Sequence, residues 1–484
     1  MEWKDVVRGL KSFWDEYRRY KSGLLGLAML MVLAFMAIGT PVLAPEEACR
    51  NWDRYQWWYW DESPSAVPPA WVDWFTPGEF PKQEVLAPSV EEGEPIWVMK
   101  DGDPVLARPV YITFTYDFHY DALPDDIKLY VDAYVAWRPG AKGLKPATLI
   151  ITVLRPDGNA VVLFRNDKYV GSARVTVSTD TYARESLLEF AALFETPENM
   201  AKIGPAGIDP LHILFSEAKP GIVLNEAPLL KGIYTFQIYL EFYSDKDYLE
   251  SAKLVVCGAV FGVLGTDIYG RDLWVGLVWG SRLALLIGLV TAVVSTVVGV
   301  IYGVISAYAG GLIDEVMQRI VELVSSIPLL PILIILSYYM EPSIWNLALI
   351  MGAFYWVGPV KTVRSMALQI KEEPYVEAAR AIGVGRWRLI TRYIAAQVMP
   401  YTFAVMALSV PGAILTEAAI SFLLGGLAVR ELTWGKILHD AREYVLSGMW
   451  WWILPPGFMI CFTGLAFVLV GNALDKILNP MLKR

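Results

Sequence analysis

Six stretches of the chain are long and almost purely apolar, and their spacing is uneven. Ser22 to Ala44 comes first, preceded by Arg18, Arg19 and Lys21. No comparable run follows until Leu283 to Tyr308, which carries no charge. Ile320 to Met340 is interrupted only by Glu322, Ile344 to Val360 is uncharged, Tyr401 to Leu424 holds a single carboxylate at Glu417, and Trp450 to Leu474 is uncharged. A helix needs roughly 20 apolar residues to cross a bilayer, so the pattern predicts six membrane-spanning helices in a one-plus-five arrangement. The first run is too long for a signal-peptide core and no clear small-residue cleavage site follows, so it reads as a retained span.

Between the first and second spans the period changes to two. Val110 to Tyr116 and Ile127 to Val135 alternate branched and aromatic residues with polar ones, as half-buried strands do. Thr148 to Leu154 and Ala160 to Phe164 flank Arg155-Pro-Asp-Gly-Asn159, a hairpin with turn residues at its centre. Gly232 to Phe242 is a late strand, and Arg184 to Glu195 and Pro197 to Ile203 read as short helices. Residues 105 to 250 are therefore expected to form a β-sandwich with a helical insertion. Residues 46 to 104, rich in Pro and Trp, are expected to wrap irregularly. The resulting division is 1–45, an N-terminus and first span; 46–260, a mainly β domain; and 261–484, a five-helix core.

Charge gives this division an orientation. The chain is 55% apolar and 19% charged, with a net charge of −9. Residues 46 to 260 hold 32 acidic against 19 basic side chains, a net of −13, which leaves +4 for the remainder. The loop from Lys361 to Pro400 carries Lys361, Arg364, Lys371, Arg380, Arg386, Arg388 and Arg392 against Glu372, Glu373 and Glu377. Basic loops face the cytoplasm, which places 361–400 and both termini inside a plasma membrane and the acidic insert outside. The acidic balance argues against nucleic acid as a partner. Three cysteines are too few for a disulfide scaffold or a zinc cluster.

Within the basic loop, Glu377-Ala-Ala-Arg-Ala-Ile-Gly383 stands out. Pro374 suits a first helical turn, the alanines favour helix and a close partner groove, and Gly383 permits a sharp turn. Trp387 offers the next helix an apolar anchor. The segment reads either as an ordinary surface helix-turn-helix or as a short lever that docks on a partner.

The same residues resemble the cytoplasmic loop of permease subunits of ATP-binding-cassette importers. Leu264-Gly-Thr-Asp-Ile-Tyr-Gly-Arg-Asp272 is similar to the signature before the second span in the dipeptide/oligopeptide branch, C-type permease. Gly280 to Gly288, Ala309 to Asp314, Pro328, Glu417 to Phe422, Trp434-Gly435 and Trp451-Trp452 follow in that family's order. The resemblance covers residues 261 to 484 and the first span. It implies a helical polytopic membrane protein of the importer-permease fold carrying an inserted extracellular β-sandwich-like domain. It implies ATPase docking through Glu377, Ala378, Ala379, Arg380 and Gly383, and a family signature at Gly265, Thr266, Asp267, Gly270, Arg271 and Asp272. The implied partners are a second homologous permease, two cytoplasmic ATPases that bind ATP and Mg, an external solute-binding protein and the bilayer. The implied substrates are di- or oligopeptides, with oligosaccharides as the alternative within the branch.

Departures from the family are specific. Ala395-Ala396 stand where a Leu-Pro pair is usual, so the helix after Arg386 is expected to run into the fifth span. Leu424-Gly-Gly-Leu-Ala-Val-Arg-Glu431 replaces a glycine- and proline-rich loop, and the large insert is this chain's own feature. A rival of another class is a membrane-anchored receptor that binds ligand without transport, but an anchor needs only one helix. The chain itself is expected to be no enzyme, with no cofactor and no metal: there is no phosphate-binding loop, since Gly435-Lys436 is followed by Ile437, and His119, His212 and His439 lie far apart.

Remaining candidates carry two readings each. Glu417 is a candidate pathway or structural carboxylate, and Glu322 an interfacial one. The aromatic run Trp52 to Trp60 reads as an interfacial belt or as packing, and Met449-Trp-Trp-Trp452 as a belt. Cys49 and Cys257, near the two ends of the insert in a disulfide-permissive compartment, form a disulfide candidate. Cys461 is expected to be a free core thiol.

Overall fold

A computed structural model describes residues 11–53, 57–138, 144–203, 207–425 and 430–478. Two compact units emerge: Met1–Asp53 together with Leu273–Arg484, and Arg54–Asp272. The β unit thus reaches twelve residues past the expected boundary at 260 and takes in the whole 264–272 signature.

The helical unit contains α1 (Lys21–Ile38), α2 (Leu273–Ala309), α3 (Gly311–Ser326), α4 (Leu329–Tyr339), α5 (Ile344–Tyr355), α6 (Val357–Lys371), α7 (Pro374–Ala381), α8 (Ala396–Leu424), α9 (Trp434–Ala441) and α10 (Trp450–Leu478). Among the described residues, four helices are long and apolar enough to cross a membrane alone: α1, α2, the continuous helix Arg386–Leu424 that includes α8, and α10. The expected third span is broken. α3 and α4 meet at 77°, because Pro328 disfavours helical geometry at the preceding residue and Ile327 is extended, with ψ 124°. The expected fourth span, 344–360, is divided between α5, only 12 residues long, and the start of α6. Close approach rests on small residues: a Cβ at Gly23 of α1 would lie 2.6 Å from the Ala473 Cβ of α10.

Replacing Leu-Pro by Ala395-Ala396 has the expected result, since the helix runs unbroken from Arg386 to Leu424. Its early part, Leu389–Ala395, is wound as a π-helix. The loop 424–431, expected to be external and altered in shape, lies outside the described residues at 426–429.

Among the described residues of the β unit, ten strands form two antiparallel sheets: β1 (Glu84–Leu86), β2 (Ser89–Glu92), β3 (Ile96–Lys100), β4 (Asp103–Phe118), β5 (Asp126–Tyr134), β6 (Ala147–Leu154), β7 (Ala160–Tyr169), β8 (Ser172–Thr176), β9 (Gly232–Phe242) and β10 (Tyr248–Cys257). One sheet runs β1-β10-β5-β8; the other runs β2-β4-β9-β6-β7, with β3 also on β4. Alternate residues of both, among them Ile112, Phe114, Leu129, Val131, Ile151, Phe236, Ile238, Leu254 and Val256, enter one shared core. The hairpin around 155–159 forms as expected. Buried Arg155 fixes it by donating from Nη1 to the Ile213 and Leu214 carbonyls, each at 2.7 Å. Residues 84–100, expected to be irregular, supply β1, β2 and β3. These are short edge strands whose own pattern is weak and whose pairing comes from β4 and β10.

The expected Cys49–Cys257 bridge is not formed, and all three cysteines are free. Cys257 ends β10 with its Sγ 3.7 Å from the Glu62 carbonyl oxygen, whereas Cys49 sits in the short helix Glu46–Arg50 of the other unit. Proximity of chain ends does not orient two Cβ atoms for bonding. Cys461, expected in a core, is exposed on α10.

Candidate functional site

The basic segment 361–400 folds as its residues direct. Pro374 occupies the first turn of α7, Glu373 before it is extended, and Glu377 lies in the first turn, where negative charge suits the helix dipole. The C-terminus closes in a Schellman motif: Gly383 N donates to the Arg380 carbonyl and Val384 N to the Ala379 carbonyl, both at 3.1 Å. Gly383 has φ +82°, and a Cβ placed there would meet nothing within 4 Å. The glycine is therefore needed for its backbone angle and not for space.

α7 has two distinct faces. Val376 and Ala379 are buried with Leu389 against Tyr308, Ile370, Val384 and Tyr393, which fastens α7 to the end of α2, to α6 and to the π-wound turn. Glu377, Ala378 and Arg380 face outward. Around them lie Tyr375, Ile382 at 81% exposure and Trp387 at 72%. Two of the sequence readings change. Ala379 turns into its own chain and is unavailable for docking, and Leu389, not Trp387, is the anchor of the following helix. Trp387 belongs to the exposed patch instead.

Between α3 and α6 is an ion pair that sequence reading passed over. Asp314 of α3 accepts from Arg364 of α6 at two points, Nε at 2.7 Å and Nη2 at 2.5 Å, and also from the Ser306 hydroxyl of α2. Gln318 Nε2 donates to Ser306 Oγ at 2.9 Å. Asp314 was visible only as the end of a family motif and Arg364 only as one positive charge among seven; no local spacing links residues fifty apart.

The 264–272 signature forms a compact knot within the β unit. Asp267 is fully buried; its carboxylate accepts from Tyr269 N at 2.9 Å, Arg271 N at 3.0 Å and Arg271 Nε at 2.6 Å. Burial pushes the Asp267 carboxyl above its usual range, opposed by the Arg271 charge. Thr266 N donates to the Val67 carbonyl at 2.9 Å and its hydroxyl accepts from Val67 N at 3.2 Å. At Gly265, φ is +75° and a Cβ would stand 2.3 Å from the Val67 carbonyl oxygen, which makes glycine obligatory on both counts. Gly270 N closes the turn onto the Asp267 carbonyl at 3.0 Å, and Thr266 and Asp272 form an isolated bridge. These six residues are thus brought together as a structural turn, each with a conformational or hydrogen-bonding task.

Glu417 lies in α8 at 1% exposure, accepting from the Ser421 hydroxyl at 2.8 Å and bonded also to Thr433. Thr433 caps α9 through Lys436 N at 3.2 Å. Next to it, Trp434 is fully buried, donating from Nε1 to the Leu277 carbonyl at 2.9 Å, over a Gly280 whose Cβ would be 2.6 Å from the indole. This geometry is that of a carboxylate holding α9 to α8. Trp452, expected in an interfacial belt, is instead buried and stacked on Tyr444 at 5.4 Å, while Trp450 stays exposed. Trp52 and Trp60 are buried, so the 52–60 run serves partly in packing; Arg54, Tyr55 and Gln56 lie outside the described residues. Glu322 is exposed and paired with Arg319 at 2.7 Å.

Comparison with known proteins bears on this arrangement. Residues 295–484 match the family described as binding-protein-dependent transport system inner membrane component. The chain is 36% identical over 220 residues to the dipeptide transport system permease protein DppC of Bacillus subtilis, covering 46% of this chain and 69% of that one. It is 34% identical over 267 residues to the oligopeptide transport system permease protein OppC of the same organism, covering 55% and 86%. This chain belongs to that permease family. It is 36% identical to the oligopeptide permease OppC of Haemophilus influenzae as well, over 49% of this chain and 76% of the other. As a permease of the ATP-binding-cassette importer class, it is a membrane-embedded subunit and not the catalytic one.

Proposed function

We propose that this permease forms one half of the translocation pathway of an ATP-driven importer for di- or oligopeptides. The substrate reading rests on the names of its relatives. Six spans cross the plasma membrane, counting the bent α3–α4 pair as one and α5 with the start of α6 as another. Both termini and the 361–400 segment face the cytoplasm, and the acidic β unit faces outward. A second homologous permease completes the pathway. Two cytoplasmic ATPases hold the ATP and Mg, and an external solute-binding protein delivers the substrate.

The observation that carries this reading is the exposure of Tyr375, Ala378 and Ile382 on and at the end of α7, followed by exposed Trp387 on the next helix, while the opposite face of α7 is fastened to α2 and α6. Exposed apolar residues ringed by charge mark a protein contact. ATP-driven closure of the two ATPases pulls on α7, and the Val376–Ala379–Leu389 cluster passes that motion to the spanning helices, which alternate access. Ile382→Glu and Glu377→Lys are expected to lower transport in reconstituted vesicles to about a tenth or less, the effect of roughly 1.4 kcal/mol of lost docking energy. Membrane insertion stays normal. Unchanged transport in both variants would refute the docking role.

A further inference from the structure

The outward face of the β1-β10-β5-β8 sheet carries charges in an ordered array. Tyr130 is paired in register with Arg174 on one side and Lys253 on the other. The row therefore reads cation, aromatic ring, cation across three adjacent strands. Lys253 Nζ stands 5.2 Å and Arg174 Cζ 6.0 Å from the ring centre. One step along β5, Asp132 accepts from Ser251 Oγ at 3.2 Å. The segment 57–63 lies over this face. The Asp61 carbonyl accepts from Lys128 Nζ at 2.6 Å, and its carboxylate accepts from the Tyr130 hydroxyl at 3.0 Å. Asp61, Tyr130, Asp132, Arg174, Ser251 and Lys253 line a cavity of about 320 Å³.

The charges in this cavity are not equally committed. Lys253 is in direct contact with Glu62. Arg174 comes no nearer than 3.9 Å to Asp61, too far for a hydrogen bond, and its side chain is 57% exposed. Its guanidinium fork faces an open cavity with donors to spare. Across the same cavity lie Glu62 and Asp132, and at its rim Trp58 is 55% exposed, a large indole surface beside a polar site. A bidentate donor, carboxylate acceptors a short distance away and an exposed aromatic surface suit a small molecule with a carboxylate, an ammonium and an apolar part. The volume falls at the small end of ligand pockets and accommodates an amino acid or a peptide end.

We propose that this sheet face is a binding site for a small zwitterionic ligand of the amino-acid or short-peptide class. Arg174 receives the carboxylate, Asp132, whose contact here is with the neutral Ser251 hydroxyl, receives the ammonium, and Trp58 covers the apolar side. The site lies wholly within the β unit and is separate from the docking helix. Its peptide chemistry agrees with the proposed transport function without depending on it.

The test is calorimetric titration of the full-length chain in lipid nanodiscs with dialanine, its N-acetyl and C-amide derivatives, and maltose. Saturable binding of dialanine is expected, weakened at least about tenfold by blocking either end and by Arg174→Gln. Trp58→Ala, at an exposed position, should weaken it severalfold without disturbing the fold. Failure of dialanine to bind would overturn the proposal, as would binding indifferent to the blocked ends or to both variants. Binding of maltose in preference to dialanine would overturn the zwitterion assignment. Glu377→Lys separates the two readings: it should lower transport to about a tenth or less and leave this binding intact, so loss of one property leaves the other standing.

Discussion

Asp314 and Arg364 are fifty residues apart in the chain and joined at two points, at 2.7 and 2.5 Å, so that α3 and α6 are held against the end of α2. Planar two-point pairing between guanidinium and carboxylate is directional as well as strong. Arg364→Lys keeps the charge and loses the fork; Arg364→Ala leaves a nearly buried carboxylate with only Ser306 among these partners. The expected cost is about 1–3 kcal/mol for the alanine variant, and less for lysine. Thermal unfolding of the purified protein in detergent gives the order. Equal melting temperatures for wild type and Arg364→Ala would show the pair to be without structural weight.

Gly383 is expected to tolerate no side chain even though nothing crowds it. Its φ of +82° costs an L-residue about 1 kcal/mol or more, and the Schellman bonds from Gly383 and Val384 depend on that angle. Gly383→Ala should therefore fray the end of α7 and raise hydrogen exchange at the Val384 amide, while Ala378→Ser, on the exposed face, should not. Unchanged exchange in Gly383→Ala would count against the capping role.

The β unit should be more stable in mild acid than at neutral pH. Half-buried Asp125 accepts from Ser65 N at 2.7 Å, yet burial pushes its carboxyl up to about 6, with Lys128 opposing the rise. Burial also raises its neighbour Asp126. A carboxyl that binds its proton more tightly when folded stabilises the fold at low pH, and this contribution is lost as pH rises from about 4 to about 6. The loss is on the order of 2 kcal/mol, reduced by the solvent that still reaches Asp125. Asp125→Asn should flatten this part of the profile, measured by melting temperature between pH 4.5 and pH 7.5 (about three units). A rising melting temperature over that window in wild type would contradict the assignment.

Three thiols should react in the denatured protein without any reductant, since Cys49, Cys257 and Cys461 are all free. In the folded protein, burial pushes the Cys49 thiol up to about 11 and the Cys257 thiol up to about 12, so both should label slowly at neutral pH. Cys461 is exposed on the surface of α10. Mass spectrometry after maleimide labelling counts the thiols; a single reactive thiol would restore the bridge between Cys49 and Cys257.

Much of this protein is legible in the order of its residues because the signals are local. Apolar run length marks α1, α2, α8 and α10, and period-two alternation marks β4, β5, β6 and β9. Helix α7 is bounded by Pro374 and Gly383, which act through their own backbone angles. The charge of the 361–400 segment is readable in the same way, whereas the glycines at 265 and 270 stood out only through the family resemblance.

Contacts between residues far apart in the chain have no such local signal. The pairing of Asp314 with Arg364, the seating of Glu417 between Ser421 and Thr433, and the turn of Ala379 inward and Trp387 outward depend on which helices meet. The edge strands β1 to β3 take their form from partners on β4 and β10, since their own sequences alternate too weakly to specify a sheet. Cys49 and Cys257 stand near the two ends of the insert along the chain, but a disulfide also requires aligned Cβ vectors, which are set by packing and not by sequence spacing. Periodicity is a property of a few neighbouring residues, whereas packing depends on the whole chain.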